Sequence, residues 1–138
     1  MDNKKFIYNY MNVCSNFLKN VDISEKALAA KELIIKTNQN KKKLIFSGNG
    51  ASASIANHAS LDFTKQARIR SINFNESAFI TAFSNDYGYE NWVQKAVEFY
   101  GKKEDTVILI SSSGNSQNIV NAAKFAKNKG INVITFTG

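Results

Sequence analysis

Two apolar runs, Lys43-Leu44-Ile45-Phe46 and Thr106-Val107-Ile108-Leu109-Ile110, constrain this chain more than anything else in it. Neither alternates with polar residues, so each reads as a strand buried on both faces. Each also runs straight into a loop of small residues and then into helical spacing. The first passes through Ser47-Gly48-Asn49-Gly50 to a helix over about Ser52 to Lys65; the second passes through Ser111–Ser116 to a helix over Gln117 to Lys129. Doubly buried strands alternating with helices pair in parallel through right-handed crossovers. Two further strands are expected at Arg70–Phe74 and Ile131–Phe136, with Gly130 placed to end the helix before the second. Between them lie helical material over Ser77–Phe83, a break at Asn85-Asp86-Tyr87-Gly88, and a helix over about Glu90 to Tyr100.

Upstream, Phe6, Ile7, Tyr10, Val13, Cys14, Phe17 and Leu18 follow helical spacing, and Asp22 or Ser24 can cap a second helix running through Ile34. The expectation is one domain over 1–138: N-terminal helices over 3–40, then an α/β core over 43–138 in which a parallel sheet is flanked by helices. The chain stops at Thr137-Gly138, just past a buried strand, and exposed apolar edges are hazards. It therefore reads as truncated at its C-terminus, or as closed by a partner.

Composition narrows the function classes. The 138 residues are 43% hydrophobic, enough for a packed core, and contain no apolar run of membrane-spanning length. The N-terminus lacks the unbroken apolar stretch of a signal peptide. A lone cysteine, Cys14, cannot form an internal disulfide, so a cytoplasmic setting is expected. The net charge of +7 favours anionic partners, from phosphorylated metabolites to acidic surfaces. No basic–aromatic motif supports nucleic acid, which is not expected as a partner.

In a parallel sheet, ligands bind where strands end, and both small-residue loops open there. Ser111-Ser112-Ser113-Gly114-Asn115-Ser116 lies between a strand and a helix start, where unpaired amides and the helix dipole favour an anion. An ordinary helix cap needs one Ser or Asn; four serines exceed that need and suit the three oxygens of a phosphomonoester. Gly48-Asn49-Gly50-Ala51-Ser52-Ala53 also matches the loose dinucleotide pattern, but the acidic partner, Glu76, falls about 28 residues on instead of about 20. The alternative is a tight turn whose glycines let strand and helix approach. On the following helix His58, the only histidine, and Asp62 share a face at i and i+4. Such a pair can move protons, supply half of a metal site, or serve as a surface hydrogen-bonded pair.

Three segments, SGNGASASIANHASLDF, FITAFSNDYGYENW and ILISSSGNSQNIVNAAKFAKNKGINVITFTG, together resemble the SIS (sugar isomerase) domains of the phosphoheptose isomerase group. The likeness covers nearly the whole chain, in the family's order. It implies a flavodoxin-like three-layer sandwich and a sugar phosphate as ligand, with sedoheptulose 7-phosphate the type substrate. Ser111, Ser112, Ser113 and Ser116 would hold the phosphate; Asn49, Gly50, Ala51, Asn85 and Asp86 would line the sugar site. His58 matches a family histidine, and Asp62 stands where the family usually has a glutamate acting as base or metal ligand. The pair would be catalytic, or two ligands of an incomplete zinc site; no cofactor is required by the sequence. Ala51 replaces a glycine, and the family's later helix, with a second histidine, would lie past Gly138. The resemblance also implies a homo-oligomer, most often a tetramer. Two functions follow: a ketose–aldose phosphate isomerase, or a non-catalytic SIS module that binds a sugar phosphate or another protein as a regulator.

Overall fold

A computed structural model describes residues 2–138. Its elements run α1 (Asn3–Asn20), α2 (Ser24–Gln39), β1 (Leu44–Gly48), α3 (Ala51–Lys65), β2 (Ser71–Asn73), α4 (Ser77–Tyr87), α5 (Trp92–Tyr100), β3 (Thr106–Ser111), α6 (Gln117–Asn128) and β4 (Asn132–Thr137). The four strands form one parallel sheet in the order β2-β1-β3-β4. The contacts fall into two groups divided within α2, between Ala30 and Lys31.

In the group from Lys31 onward, the alternation of the strands sorts two cores. Ile45, Val107 and Leu109 face Trp92, Val93, Val97, Ile119 and Ala122 of α5 and α6. Leu44, Phe46 and Ile108 face Ala56 of α3, with Ile34 and Phe63 packed alongside. The expected three layers are therefore present. Most expected boundaries shift by only a residue or two, and two of the shifts bear on the site. The helix expected to break at Asn85 continues through Tyr87 and ends only at Gly88, whose N–H bonds back to the Ser84 carbonyl. Asn85 and Asp86 thus lie on a helical turn. The strand expected over 70–74 shortens to three residues, because Asn73 and Asn75 are drawn into side-chain bonds with α3.

In the N-terminal group, Asp2 caps α1 by accepting from the amides of Lys4 and Lys5. No residue of α1 is buried, and Phe6, Tyr10, Phe17 and Leu18 are all more than half exposed. Among the described residues no helix is long and apolar enough to cross a membrane.

Because the sheet is parallel, all four strands are entered at one edge and left at the other, and charge is divided between those edges. The entry loops hold Lys41, Lys42, Lys43, Arg68, Arg70, Lys102, Lys103 and Lys129, against only Glu104 and Asp105. The exit loops over 49–50, 74–76 and 112–116 hold no lysine or arginine. The surplus positive charge therefore lies on the edge opposite the serine loop.

Candidate functional site

The strand order reverses direction between β1 and β3, since the connection from β1 runs to β2 on one side and that from β3 to β4 on the other. Such a switch point leaves a crevice at the strand ends. The two loops flagged in the sequence, 49–50 and 112–116, leave these two neighbouring strands.

The serine loop departs from an ordinary helix cap. Ser116 is the N-cap of α6, yet its side chain makes no capping bond. Its Oγ instead accepts from Ser111 Oγ at 3.2 Å. The amides of Ser113, Ser116, Gln117 and Asn118 have no partner among the described residues. Ser111 is buried, while Ser112 and Ser113 are exposed. Gly114, at φ +67°, makes the reversal within the loop, a conformation that a side chain disfavours. Thr137 packs beside it, and the Gly138 amide donates to the Ser112 carbonyl. The loop thus presents neutral N–H and O–H donors at the positive end of a helix dipole.

The two glycines at the end of β1 serve different needs: Gly50 takes a positive φ of +54°, and Gly48 allows close packing. A Cβ on Gly48 would lie 2.7 Å from the Ser52 carbonyl carbon, so only glycine lets β1 turn this tightly into α3. The dinucleotide reading loses its acidic partner here. Glu76 caps α4, its carboxylate accepting from the amides of Ala78 and Phe79, which hold its pKa below the usual range. Those bonds commit Glu76 to capping its own helix.

His58 and Asp62 lie on one face of α3, as their spacing implies, with Nε2 to Oδ2 at 3.3 Å and both side chains at least half exposed. The opposite face carries the buried Ala56 and Ser60. That side is tied to β2: Asn73 Nδ2 donates to Ser60 Oγ at 2.8 Å, and Asn75 Nδ2 to Asn57 Oδ1 at 2.7 Å. These bonds fix the rotation of α3 and so the direction in which His58 and Asp62 project. Asn85 and Asp86 bond to each other at 2.9 Å, both exposed, and to no other flagged residue. Among the described residues no three His, Cys, Asp or Glu side chains cluster as a metal site would require. His58 and Asp62 offer two donors, short of the three or four that zinc takes from a protein.

Sequence reasoning missed Tyr89, Asn118 and Asn121. Asn118 joins Asn49 by two reciprocal amide bonds, Tyr89 reaches the same Asn49, and Asn121 bonds the turn that carries Tyr89. One signal was available: Asn118, Ala122 and Ala126 share one stripe of α6, so a polar residue stands at a core position.

A family model described as the SIS domain matches residues 9–138, nearly the whole chain. The chain belongs to the SIS-domain family, in its phosphoheptose isomerase-like group. A phosphoheptose isomerase of Buchnera aphidicola subsp. Acyrthosiphon pisum is 36% identical over 144 residues, covering 98% of this chain and 75% of that protein. One from Helicobacter pylori strain P12 is 39% identical over 113 residues, covering 77% of this SIS chain and 58% of its relative. Among solved structures, a phosphoheptose isomerase from Francisella tularensis superposes with a TM-score of 0.90 at 26% identity, covering 100% of this chain and 76% of that one. The Neisseria gonorrhoeae phosphoheptose isomerase gives 0.85 at 29% identity, with 98% and 72% covered.

Proposed function

We propose that this SIS domain binds a phosphorylated ketose or aldose at the β1/β3 crevice and interconverts the two, with a seven-carbon sugar phosphate as substrate. The observation that carries the reading is the uncapped serine loop: Ser116 turned away from its helix, four amides left open, and no lysine or arginine in the loops of that edge. A neutral donor cradle suits a phosphomonoester, which can be surrounded by N–H and O–H groups at a helix N-terminus. The relatives named phosphoheptose isomerase supply the substrate class.

The reaction moves a proton from the carbon beside the carbonyl, passes through an enediol, and returns a proton at the neighbouring carbon. Charge develops on the carbonyl oxygen and needs a proton or donor there. Asp62 is the base in this proposal, with His58 donating to it and setting its orientation. Ser111, Ser112, Ser113 and Ser116 anchor the phosphate, and Asn49, Gly50 and Ala51, with Asn85 and Asp86, border the sugar. Anchoring the remote phosphate contributes orientation to the reacting end. If zinc binds, His58 and Asp62 are two of its ligands, and the others come from outside the described residues.

Replacing Ser112 and Ser116 together with alanine tests the phosphate assignment. Each hydroxyl bond to a charged group contributes about 1.5 kcal/mol or more, so sugar-phosphate affinity should fall about 100-fold. Calorimetric titration reads the affinity, and an unchanged melting temperature shows that the fold survives. A double variant with parental affinity would move the phosphate elsewhere.

The exposed apolar residues of α1 support a homo-oligomer, and the family resemblance points to a tetramer. Phe6, Tyr10, Phe17 and Leu18 lie bare on one amphipathic helix, and a patch of this kind marks an interface. Light scattering at micromolar concentration should report a multiple of 15.4 kDa. A monomer there, or Phe6→Ser with Phe17→Ser leaving the mass unchanged, would count against α1 as the contact.

A further inference from the structure

The loop leaving β1 and the first turn of α6 are joined by a single pair of amides. Asn49 Nδ2 donates to Asn118 Oδ1 at 2.9 Å, and Asn118 Nδ2 donates back to Asn49 Oδ1 at 2.8 Å. Tyr89 Oη donates to that same Asn49 oxygen at 3.2 Å. Both acceptor positions of Asn49 Oδ1 are thereby filled, and one of its two N–H groups is spent. Asn118 is 2% exposed, so its side chain meets other protein groups and no solvent. The turn presenting Tyr89 is pinned as well: Asn121 Nδ2 donates to the Glu90 carbonyl at 2.9 Å and to Asn91 Oδ1 at 3.2 Å. Gln117 Nε2 donates to Asn121 Oδ1 at 2.7 Å and so orients that amide.

We propose that Asn118 and Tyr89 are positioning residues that fix the separation between the sugar loop and the phosphate loop. Asn49 is their common link and is closed to the sugar as a hydrogen-bond acceptor. This deepens the sugar-phosphate reading above and rests on it. The β1/β3 ladder fixes the two backbones only as far as the Gly48–Ile110 pair, Ser111 pairing outward with Thr137 of β4, and beyond that edge no strand pairing holds the two loops in register. A phosphate seated at 112–116 and a sugar lying along 49–51 need one spacing, because errors near 1 Å are enough to cost about 100-fold in rate. The reciprocal amide pair spans that gap with two bonds of fixed length. Tyr89 adds a third bond, at the Asn49 oxygen, and so ties the sugar loop to the turn that Asn121 pins.

Two variants of the full chain test this. Asn118→Leu keeps the side-chain volume and removes both amide bonds; Tyr89→Phe keeps the ring and removes only the phenol bond. For each, kcat and KM are measured with sedoheptulose 7-phosphate, the Kd of inorganic phosphate by calorimetry, and the melting temperature. Asn118→Leu should lower kcat and sugar-phosphate affinity by about tenfold or more, since only the alignment of the two loops is lost, and leave the phosphate Kd within about twofold. Tyr89→Phe should shift the same ratio in the same direction by a few fold, about 2–5, without changing the melting temperature. Parental ratios in both variants would overturn the proposal. So would an equal loss of both ligands with a lower melting temperature in Asn118→Leu and parental behaviour in Tyr89→Phe, the mark of a purely structural pair. If Asn118→Leu does not fold, Tyr89→Phe decides alone. A parent chain that binds both ligands but turns over neither sugar isomer removes the isomerase reading and leaves the binding ratio to judge the link. A parent chain that binds neither removes both.

Discussion

Asp62→Asn is expected to lose turnover by about 10²–10⁴-fold, the range over which a positioned general acid or base acts, while keeping its affinity for phosphate. The substitution preserves shape and removes only the ionisable oxygen. The structure gives Asp62 no other duty. Its carboxylate meets His58 at 3.3 Å and does not reach Lys65, and its side chain is half exposed. An exposed i,i+4 pair contributes at most a few tenths of a kcal/mol, about 0.3–0.5, so the melting temperature of Asp62→Asn should match the parent. Turnover and melting temperature measured on this one variant therefore separate chemistry from structure. Asp62→Glu extends the carboxylate by one methylene, to the residue that the family resemblance implies, and is expected to retain or raise turnover. An Asp62→Asn protein with full turnover would take Asp62 out of the mechanism. A parent that binds sugar phosphate with no turnover would favour the non-catalytic SIS module instead.

The prominence of these residues in the sequence reflects what local pattern can encode. Leu44–Phe46 and Val107–Ile110 announce strands because burial on both faces leaves no polar residue in either run. The structure sets their starts at Leu44 and Thr106 and extends both by one or two residues. His58 and Asp62 were paired from spacing alone, since four residues make just over one helical turn. The four serines were visible as an excess over what one helix cap needs. What pattern could not show is how they divide: Ser111 spends its hydroxyl on Ser116, which leaves α6 uncapped.

The residues that went unread are those whose partners lie far along the chain. Asn49 and Asn118 are 69 positions apart, and Tyr89 and Asn49 are 40 apart. No period of 2 or 3.6 reports such a pairing; it follows from the strand order, which local spacing leaves open. The net charge of +7 favours anionic partners, but a total does not say where the charge lies; topology puts its surplus where strands begin. Helix C-termini and strand entries share that edge, and cations there complement the negative ends of the helix dipoles. In the proposed reading the phosphate is held at the other edge by hydrogen bonds instead.

That basic edge also contains the residue whose loss should destabilise the chain most. Asp105 immediately precedes β3 and is 1% exposed. Its Oδ1 accepts from the Lys43 amide at 3.0 Å, and its Oδ2 accepts from the Lys102 amide at 2.8 Å and from Lys43 Nζ at 2.5 Å. One carboxylate thus ties the entry of β1 to the entry of β3 and closes the turn before β3. Asp105→Ala leaves an ammonium with a side chain only 13% exposed and two amides without partners. Breaking a buried pair in this way costs about 3–5 kcal/mol, a large part of a small domain's stability. Because the pair is buried, the loss should persist at high salt. The neighbouring Lys42–Glu104 contact, at 3.9 Å and far more exposed, should show the opposite behaviour: Glu104→Ala changes little at any ionic strength. Urea unfolding of the two variants at low and high salt makes the comparison. Asp105→Ala unfolding within about 1 kcal/mol of the parent would mean that water enters and solvates Lys43 once the carboxylate is gone. The lesion lies at the edge opposite the serine loop, so phosphate affinity per folded molecule should stay at the parental value in every variant of this set.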